Sequence, residues 1–562
     1  MNDLVVKGKV TTLNLLKMIN RFQVGAVAVQ GDLKQFYASI KLVVNQWNLQ
    51  RVLFRENLDP TNEVLEAVIK TLIWGVKSVS SQSEASVIQL AEFIKNNNPK
   101  LYDFLTNCRF CDDLGNSAAM INDLKKLTKD ADELLAQVGL KCKGWSFSGE
   151  EPLPELAEDG QVISIGGMKW HPQLDTLEVL IPRLHFSRKL RGRLIVGTKM
   201  FEGSMMEQLE EFVPKKLTRR TIFSKNYSIF DLTGKIAPIM SILKADMRAA
   251  VEQTEGWDDP VPDELRGKWL KNFWMLEKLR GMKFQRAIMP EGAVSSKMNL
   301  IIAVDAADQC VKMAGAWGRF RLKSGLFSCQ LVLGRSLLAE KDSTIPKMEL
   351  DALTIGSNMG WVLKQTMGDW VESSILIGDS SIAMCWVTST EKRLSLFHRN
   401  RCVQIRRGTD LNDLYHCATN FNPSDLGTRP QTVQLSDVGP NSPWEKGLPW
   451  MREEIDDAVE KGILVPAKNL RLDDKEEDAY KKGFIYEKTP EILTPGHAAM
   501  TTAEPVSGWY PTLRVEKVKE RQEFSDYLIP PNHFKFEQLV RIYAMVRKFI
   551  RNIQSKRMQK KY

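Results

Sequence analysis

The sequence predicts a multidomain chain of mixed architecture, α+β over its first third and α/β in its second half. Three observations carry this. Up to about residue 186, short apolar strands and helices alternate irregularly. From 187 to 295 the pattern is mainly helical. From Asn299, three consecutive strand-like runs (LIIAVDA, AWGRFRL and SCQLVLGRS) precede an alternation of helix and strand in the order βββαβαβα. The first block reads as an α+β pattern and the final alternation as an α/β domain. A length of 562 residues fits three or four domains at roughly 150 residues each.

Residues 1–58 open with a helix, LNLLKMINRF, and then the apolar strand VGAVAVQ, which ends at Gly31-Asp32. Residues 60–95 read as one long helix with a Gly-Val-Lys-Ser break near its start. A strand–turn–strand pattern surrounds Cys108 to Leu114. Ile121, Leu124, Leu127, Leu134 and Leu135 recur at helical spacing, which predicts a helix from about 115 to 138. Shorter strands follow near 145, 163 and 178. In the last α/β block a helix begins at Pro346, and the strand SSILIGDS, a further helix and the strand LYHCATN follow. After Pro430 the chain is rich in Pro, Gly and charge (PNSPWEKGLPW), so a boundary is placed near 432. The last 28 residues read as a basic amphipathic helix.

Composition narrows the class. Apolar residues make up 43% and charged residues 26%, a globular balance rather than a disordered one. No apolar run approaches the ~18 residues of a membrane span, and MNDLVVKGKV lacks a signal-peptide core. An intracellular setting, cytoplasmic or nuclear, is expected, with no membrane partner. Of the eight cysteines only Cys108 and Cys111 are spaced C-x-x-C, with no second pair at zinc spacing. They read as reduced cysteines in a strand and turn. Net charge is +9, concentrated in Arg183–Lys199, in KKLTRR from Lys215 to Arg220, and in the nine Lys/Arg from Lys535 to Lys561. Such stretches suit a polyanionic partner, with affinity that falls as salt rises.

Two sets of acids stand out. Asp32 ends the first apolar strand, in GDLKQFY, and Asp112-Asp113 lie in an apolar turn eighty residues later. Singly, Asp32 fits a helix N-cap and a double Asp fits a solvated turn. Together, three carboxylates at strand ends suit two Mg²⁺ ions ~3.5–4 Å apart in phosphoryl transfer. The second set is Asp305 in IIAVDAAD, Glu349 in IPKMELDAL, Asp379 in ILIGDSSIA and Asp425 in NPSDLGTRP. Each alone has an ordinary reading: a first-turn helix acid for Glu349, an N-cap for Asp379, a turn for Asp425. On a βββαβαβα background the four can converge at one end of a sheet and hold metal around a scissile phosphate.

The stretch from about 1 to 186 resembles reverse transcriptases, most closely those of the Bel/Pao class of LTR retrotransposons. The matching words are GDLKQFYASI, WGVKSVSSQSE, FCDDLGNS, VGLKCKGWSFSGE and IGGMKWHP. The resemblance implies a right-hand polymerase palm in which Asp32, Asp112 and Asp113 are catalytic metal ligands. By the same resemblance, Tyr37 blocks a ribose 2′-hydroxyl, Gly75 to Ser80 (with Lys77) meets template and incoming nucleotide, and Lys141 or Lys143 protonates pyrophosphate. Gly166-Gly167 falls in the primer-grip hairpin. Cys111 stands where the family usually has Val, Met or Ala.

Residues 187–295 resemble the family's thumb and connection, on SIFDLTGKIAPI and GWDDPVP. Region 299–430 resembles its RNase H-like domain, on QLVLGRSLLA, TIPKMELDAL, LSLFHRNRCVQIRRGT and NPSDLGTRP. That resemblance assigns Asp305, Glu349, Asp379 and Asp425 as metal ligands. His416, on a strand nine residues before Asp425, reads as a structural histidine.

The implied domains are a palm with residual fingers (1–186), a thumb/connection (187–295), an RNase H-like domain (296–432) and a linker toward integrase with a basic C-terminal helix (433–562). No Asp-Ser/Thr-Gly protease signature is present, and beyond 432 there are two His and no Cys for an integrase zinc site. The implied activity is RNA-directed DNA polymerisation with RNase H cleavage, two Mg²⁺ (or Mn²⁺) per site. RNA template, DNA primer, RNA–DNA hybrid and dNTPs are the implied partners. Because much of the family's fingers precedes Asp32 by more than 31 residues, two alternatives stay open: an RNase H-only chain, or a non-catalytic nucleic-acid-binding polyprotein remnant.

Overall fold

The computed structural model describes residues 6–8, 14–56, 61–158, 160–186, 189–190, 193–194, 198–307, 311–341, 343–390, 393–429 and 432–484. The basic C-terminal helix expected at the end of the chain lies outside the described residues, as does part of the Arg183–Lys199 stretch. No helix among the described residues is long and apolar enough to cross a membrane.

Helix α1 (Leu15–Val24) is capped by Asn14, whose side chain accepts the Leu16 N–H, and leads into β1 (Val27–Leu33). A single turn, α2 (Phe36–Ser39), follows. The long helix expected over 60–95 is shorter. Its first part pairs as β3 (Leu65–Val68) with β2 (Arg51–Phe54), so backbone bonds run across a hairpin, and α3 occupies Val79–Ile94. Helix α4 (Pro99–Asn107), capped by Asn98, runs into the tight hairpin of β4 (Arg109–Phe110) and β5 (Asp113–Ala118). Residues 113–118 are thus strand, and α5 begins only at Ile121, ending at Gln137 before β6 (Cys142–Phe147). The sheet order is β4-β5-β1-β6, with β1 antiparallel to both its neighbours. Helices α3, α4 and α5 bury Val87, Ala91, Phe104, Leu105, Ala131 and Leu135 with Leu33 and Leu114 of the sheet.

A second antiparallel sheet contains β7 (Ala157–Glu158), β8 (Val162–Ile165), β9 (Met168–His171), β10 (Thr176–Glu178) and, from later in the chain, β13 (Lys283–Gln285). It shares a core with α1 through Met18, Ile19, Phe22, Ile163, Ile165 and Trp170. Strands β11 (Lys189–Leu190) and β12 (Arg193–Leu194) form a small hairpin. Helices α6 (Met206–Phe212), α7 (Arg219–Asn226), α8 (Ala237–Glu252) and α9 (Asp263–Leu279) complete the helical block.

The third sheet consists of β14 (Met298–Ala307), β15 (Val311–Arg321), β16 (Phe327–Leu338), β17 (Val371–Gly378), β18 (Leu414–Cys417) and β19 (Leu464–Pro466), in the order β16-β15-β14-β17-β18-β19. The β14–β17 and β17–β18 pairs are parallel and the others antiparallel. Both faces are covered, which is why these strands read as nearly continuous apolar runs. Leu300, Ile302 and Val304 face the layer of α10 (Ile345–Met367) and α12 (Leu396–Gly408). Ile301 and Ala303 face the opposite layer, built by α8 and α9. Helix α11 (Ser381–Thr388) starts just past β17 and is capped by Ser380.

Helix α8 meets β16 at backbone distance. Gly234 has φ +73°, and a Cβ there would lie 2.1 Å from the Gly334 carbonyl oxygen. The Gly334 N–H bonds the Thr233 carbonyl at 2.8 Å. Asp231 caps the turn by accepting the Lys235 and Ile236 N–H groups at 3.0 and 2.9 Å. The DLTGK word therefore encodes a close contact between helix and sheet.

The boundary expected at 432 does not separate the sheet from residues 433–484. Helices α13 (Leu435–Val438), α14 (Pro443–Lys446) and α15 (Ile455–Glu460) place Val438, Trp444 and Ala458 in the same core as Ile301 and Trp317. Strand β19 extends the sheet beyond β18, and α16 (Asp474–Lys481) leads to Phe484, which bridges Leu394. The segment is therefore part of this α/β unit. Its Pro- and Gly-rich composition reflects short turns between buried anchors.

Candidate active sites

The first acidic set lies where β1 runs beside the β4–β5 hairpin. Asp32 and Asp113 are direct cross-strand partners. Asp112 occupies the hairpin turn and its carbonyl accepts the Leu33 N–H at 2.9 Å. Cys111, just before it, takes a left-handed backbone conformation, φ +55°. Burial, then the charges of Asp112 and Asp32, push the Asp113 carboxyl up to about 7; a backbone bond from Gly166 works the other way. Burial also raises Asp32, against the lowering effect of Lys143, whose ammonium is 2.9 Å from an Asp32 oxygen.

The other residues expected at this site divide into those near the acids and those set back from them. Gly166 and Gly167, both with positive φ, form the two-residue turn between β8 and β9, which brings the Gly166 N–H to Asp113. Of the two lysines, Lys143 reaches the acids; Lys141 is exposed, and its carbonyl accepts the Lys34 N–H at 2.8 Å. Tyr37 lies on α2 against Phe36 and edge-on to Trp74, with ring centroids 4.8 Å apart. Its hydroxyl is made less acidic by burial and by the nearby Cys111 and Asp112. Gly75 and Lys77 are exposed in the turn after Trp74.

The second set is tighter. Asp305 is at the end of β14, Glu349 in the second turn of α10, and Asp379 directly after β17. One oxygen from each lies within 4.8 Å of the others, and among the described residues this is the trio with metal-ligand spacing. Parallel pairing of β14 with β17 brings Asp305 and Asp379 to the same sheet end. Burial and the neighbouring carboxylates push Asp305 and Glu349 well above the usual carboxylate range. Asp379 Oδ1 is buried and has no hydrogen-bond partner, while its Oδ2 accepts from Thr419 at 2.7 Å.

Asp425 is set apart from this trio. Its carboxylate pairs with Arg429 at 2.9 Å, and burial is the main influence raising its pKa. Its segment nevertheless fastens the site. Asn422 and Ser424 donate to the Val304 and Ala303 carbonyls, both at 2.8 Å, and the Thr428 hydroxyl bonds Asp305. Sequence reading singled out the acid of NPSDLGT and missed these three latching residues. Their signal was that Asn, Ser and Thr side chains favour backbone-directed bonds in turns. His416 bonds the Asp379 backbone carbonyl at 3.0 Å.

Residues 218–380 match the family model of the Pao retrotransposon-like RNaseH-like domain. Over those residues the chain is similar to a Pao-type retrotransposon domain. The Pao-type match begins in α7, well before the expected boundary at 296, in line with α8 and α9 forming one layer of the sheet's cover. It includes Asp305, Glu349 and Asp379 and ends before Asp425. No curated protein matches the chain. Among solved structures, the chain is similar to a foamy viral protease-reverse transcriptase in complex with an RNA/DNA hybrid: 11% identity, TM-score 0.40, covering 72% of this chain and 45% of that one. A foamy viral protease-reverse transcriptase bound to double-stranded DNA gives 11% identity and TM-score 0.44, covering 74% and 60%. The chain thus spans about half the length of those proteins.

Proposed function

We propose that the Pao-type α/β unit is a divalent-metal-dependent RNase H acting on the RNA strand of an RNA–DNA hybrid. We further propose that the N-terminal sheet is the palm of an RNA-directed DNA polymerase, with α6–α9 serving as thumb and connection. The observation that carries the nuclease reading is the buried trio Asp305, Glu349 and Asp379. Carboxylates packed this closely are relieved either by taking up protons or by holding a cation, and the cluster has the spacing of a cation site. All the donors are carboxylate oxygens, the ligands hard cations such as Mg²⁺ or Mn²⁺ take. The trio would hold the metal, with Asp425 available from the adjoining turn. Bound there, the metal supplies Lewis-acid activation of water and charge neutralisation at the scissile phosphate. The protein's part is to fix the carboxylates, through Thr428 on Asp305 and Thr419 on Asp379, at one end of the sheet.

The polymerase reading is supported by Asp32 and Asp113 as cross-strand partners with Asp112 in the adjoining turn and Tyr37 on α2; RNA template, DNA primer and dNTPs would be its substrates. In that reading Lys143 is the lysine near the pyrophosphate and Gly167 belongs to the hairpin that holds the primer end. One observation favours the narrower alternative of a nuclease without polymerase. The first set lacks the mutual spacing of the second, and Lys143 already pairs with Asp32.

Hybrid cleavage with Mg²⁺ by the full chain and by Asp379→Asn tests the nuclease. Wild type should cut; the variant should lose activity yet melt higher in the metal-free state, because one repelling charge is gone. Primer extension, with Asp112→Asn as control, tests the polymerase. A chain that binds hybrid normally but neither cuts nor extends would overturn both readings.

A further inference from the structure

We infer that the buried ion pair Glu84–Arg109 positions the Asp112-Asp113 hairpin and the Tyr37 turn for nucleotide addition. The inference rests on the polymerase reading and names two residues that do not touch substrate. Glu84 lies on α3 and Arg109 on β4, both fully buried. The two guanidinium nitrogens meet the two carboxylate oxygens at 2.8 and 3.3 Å. The fork has donors left over, and they go to backbone. One bonds the Cys111 carbonyl at 2.6 Å and another the Leu105 carbonyl at 3.2 Å.

The Cys111 bond is the informative one. Cys111 is a non-glycine residue held at φ +55°, a conformation that persists only where surroundings fix it. Its carbonyl belongs to the peptide that joins it to Asp112, so Arg109 sets the plane from which the Asp112 carboxylate projects. The same guanidinium lies 5.7 Å from the Phe36 ring centroid, and Phe36 adjoins Tyr37. One side chain therefore ties α3, the acidic hairpin and α2 together. Stability alone does not call for charges here, since apolar pairs of similar volume commonly replace buried ion pairs without loss. What an apolar pair cannot supply is the bond to Cys111. Glu84 keeps the guanidinium charged, compensated and aimed.

The test uses the full chain. Removing one partner would leave a buried charge and could unfold the hairpin, so the decisive variant is the double substitution Glu84→Leu/Arg109→Met, with Arg109→Lys beside it. Thermal unfolding and RNA–DNA hybrid cleavage should stay at wild-type level in the double variant. Its primer-extension kcat should fall on the order of 100-fold, the cost of a misplaced reacting group, with the KM for dNTP little changed and discrimination against rNTP weakened. Arg109→Lys should recover part of kcat. A folded double variant that extends and discriminates like wild type overturns the inference. So does parallel loss of cleavage, extension and thermal stability, which would make the pair merely structural. A wild-type chain that binds primer–template without extending it overturns the polymerase reading, and this inference with it.

Discussion

His398 shows how one residue's surroundings fix a measurable pH response. It lies on α12, buried, with its ring 4.3 Å from that of Trp386 and 5.3 Å from Phe397, and Nδ1 2.6 Å from the Ser395 hydroxyl. Burial first, then the cations of Lys347 and Arg401, bring its pKa from 6.5 down to about 4. The unfolded chain therefore takes up this proton at a higher pH than the folded one. The stabilisation is complete above pH 6.5 and is lost as pH falls toward 4. At about 1.4 kcal/mol per pH unit, the loss is at most about 3 kcal/mol. Asp305 and Glu349 shift the opposite way, so the contribution of His398 appears only as a difference. Thermal unfolding of wild type and His398→Gln between pH 7 and 4.5 should show a shallower acid slope for the variant. Superimposable slopes would remove His398 as a source of acid instability.

At the scale of elements, legibility followed how far each feature depends on neighbouring residues alone. Strand β1, the Cys108–Leu114 hairpin, the helix around Leu124–Leu135 and the three long strands of the α/β unit were all readable from local periodicity. Residues 65–68 were not, because a short apolar run fits helix or strand until its pairing partner RVLF is known. The acid trio was legible as residue types in order; the separation of Asp425 was not, because the Arg429 pairing depends on the turn's geometry. The segment after 432 was misread for the same reason. Its Pro and Gly mark turns, whereas its buried Trp444, Trp450 and Leu464 fill a core assembled from distant strands. Truncation after residue 432 should therefore do more than trim a linker. It would expose the β18 edge, and it would strip Trp444 from Trp317, whose rings lie 5.2 Å apart. Loss of a single buried Trp side chain costs about 3–5 kcal/mol, a large share of any domain's stability. The truncated chain should be insoluble or lack hybrid cleavage, while truncation after 484 should retain both solubility and cleavage. A soluble, cutting 1–432 chain would refute the assignment of β19 to the sheet's stable core.

At the scale of the whole described unit, the two candidate sites are tied together by one helix. Helix α1 feeds directly into β1, which bears Asp32, and also docks on the elements that carry the second site. Asn20 bonds the Thr366 hydroxyl at 2.9 Å and Arg21 the Thr366 carbonyl at 2.8 Å, both on α10, the helix of Glu349. Gln23 bonds the Val332 carbonyl on β16 at 3.0 Å. On the other side of α1, the fully buried Arg286 grips Asp175 through two contacts of 2.6 Å and donates to the Phe22, Gly25 and Ala26 carbonyls at 2.8–3.0 Å. Leu16 and Val24 complete the joint by burying themselves in the core of the α/β unit. Domains linked by small polar surfaces move independently, whereas those sharing a core and buried polar bonds unfold together. Residues 14–484 should therefore melt in one cooperative transition reported equally by tryptophan fluorescence, far-UV circular dichroism and loss of hybrid binding. Arg286→Met would leave Asp175 without its buried partner at a cost of about 3–5 kcal/mol. If the joint couples the sites, that variant should lower the single midpoint and speed amide exchange in β1 and β14 alike. Two resolved transitions in wild type, or faster exchange confined to β1, would mean that the sites are carried by separately folding bodies and that α1 is only a contact between them.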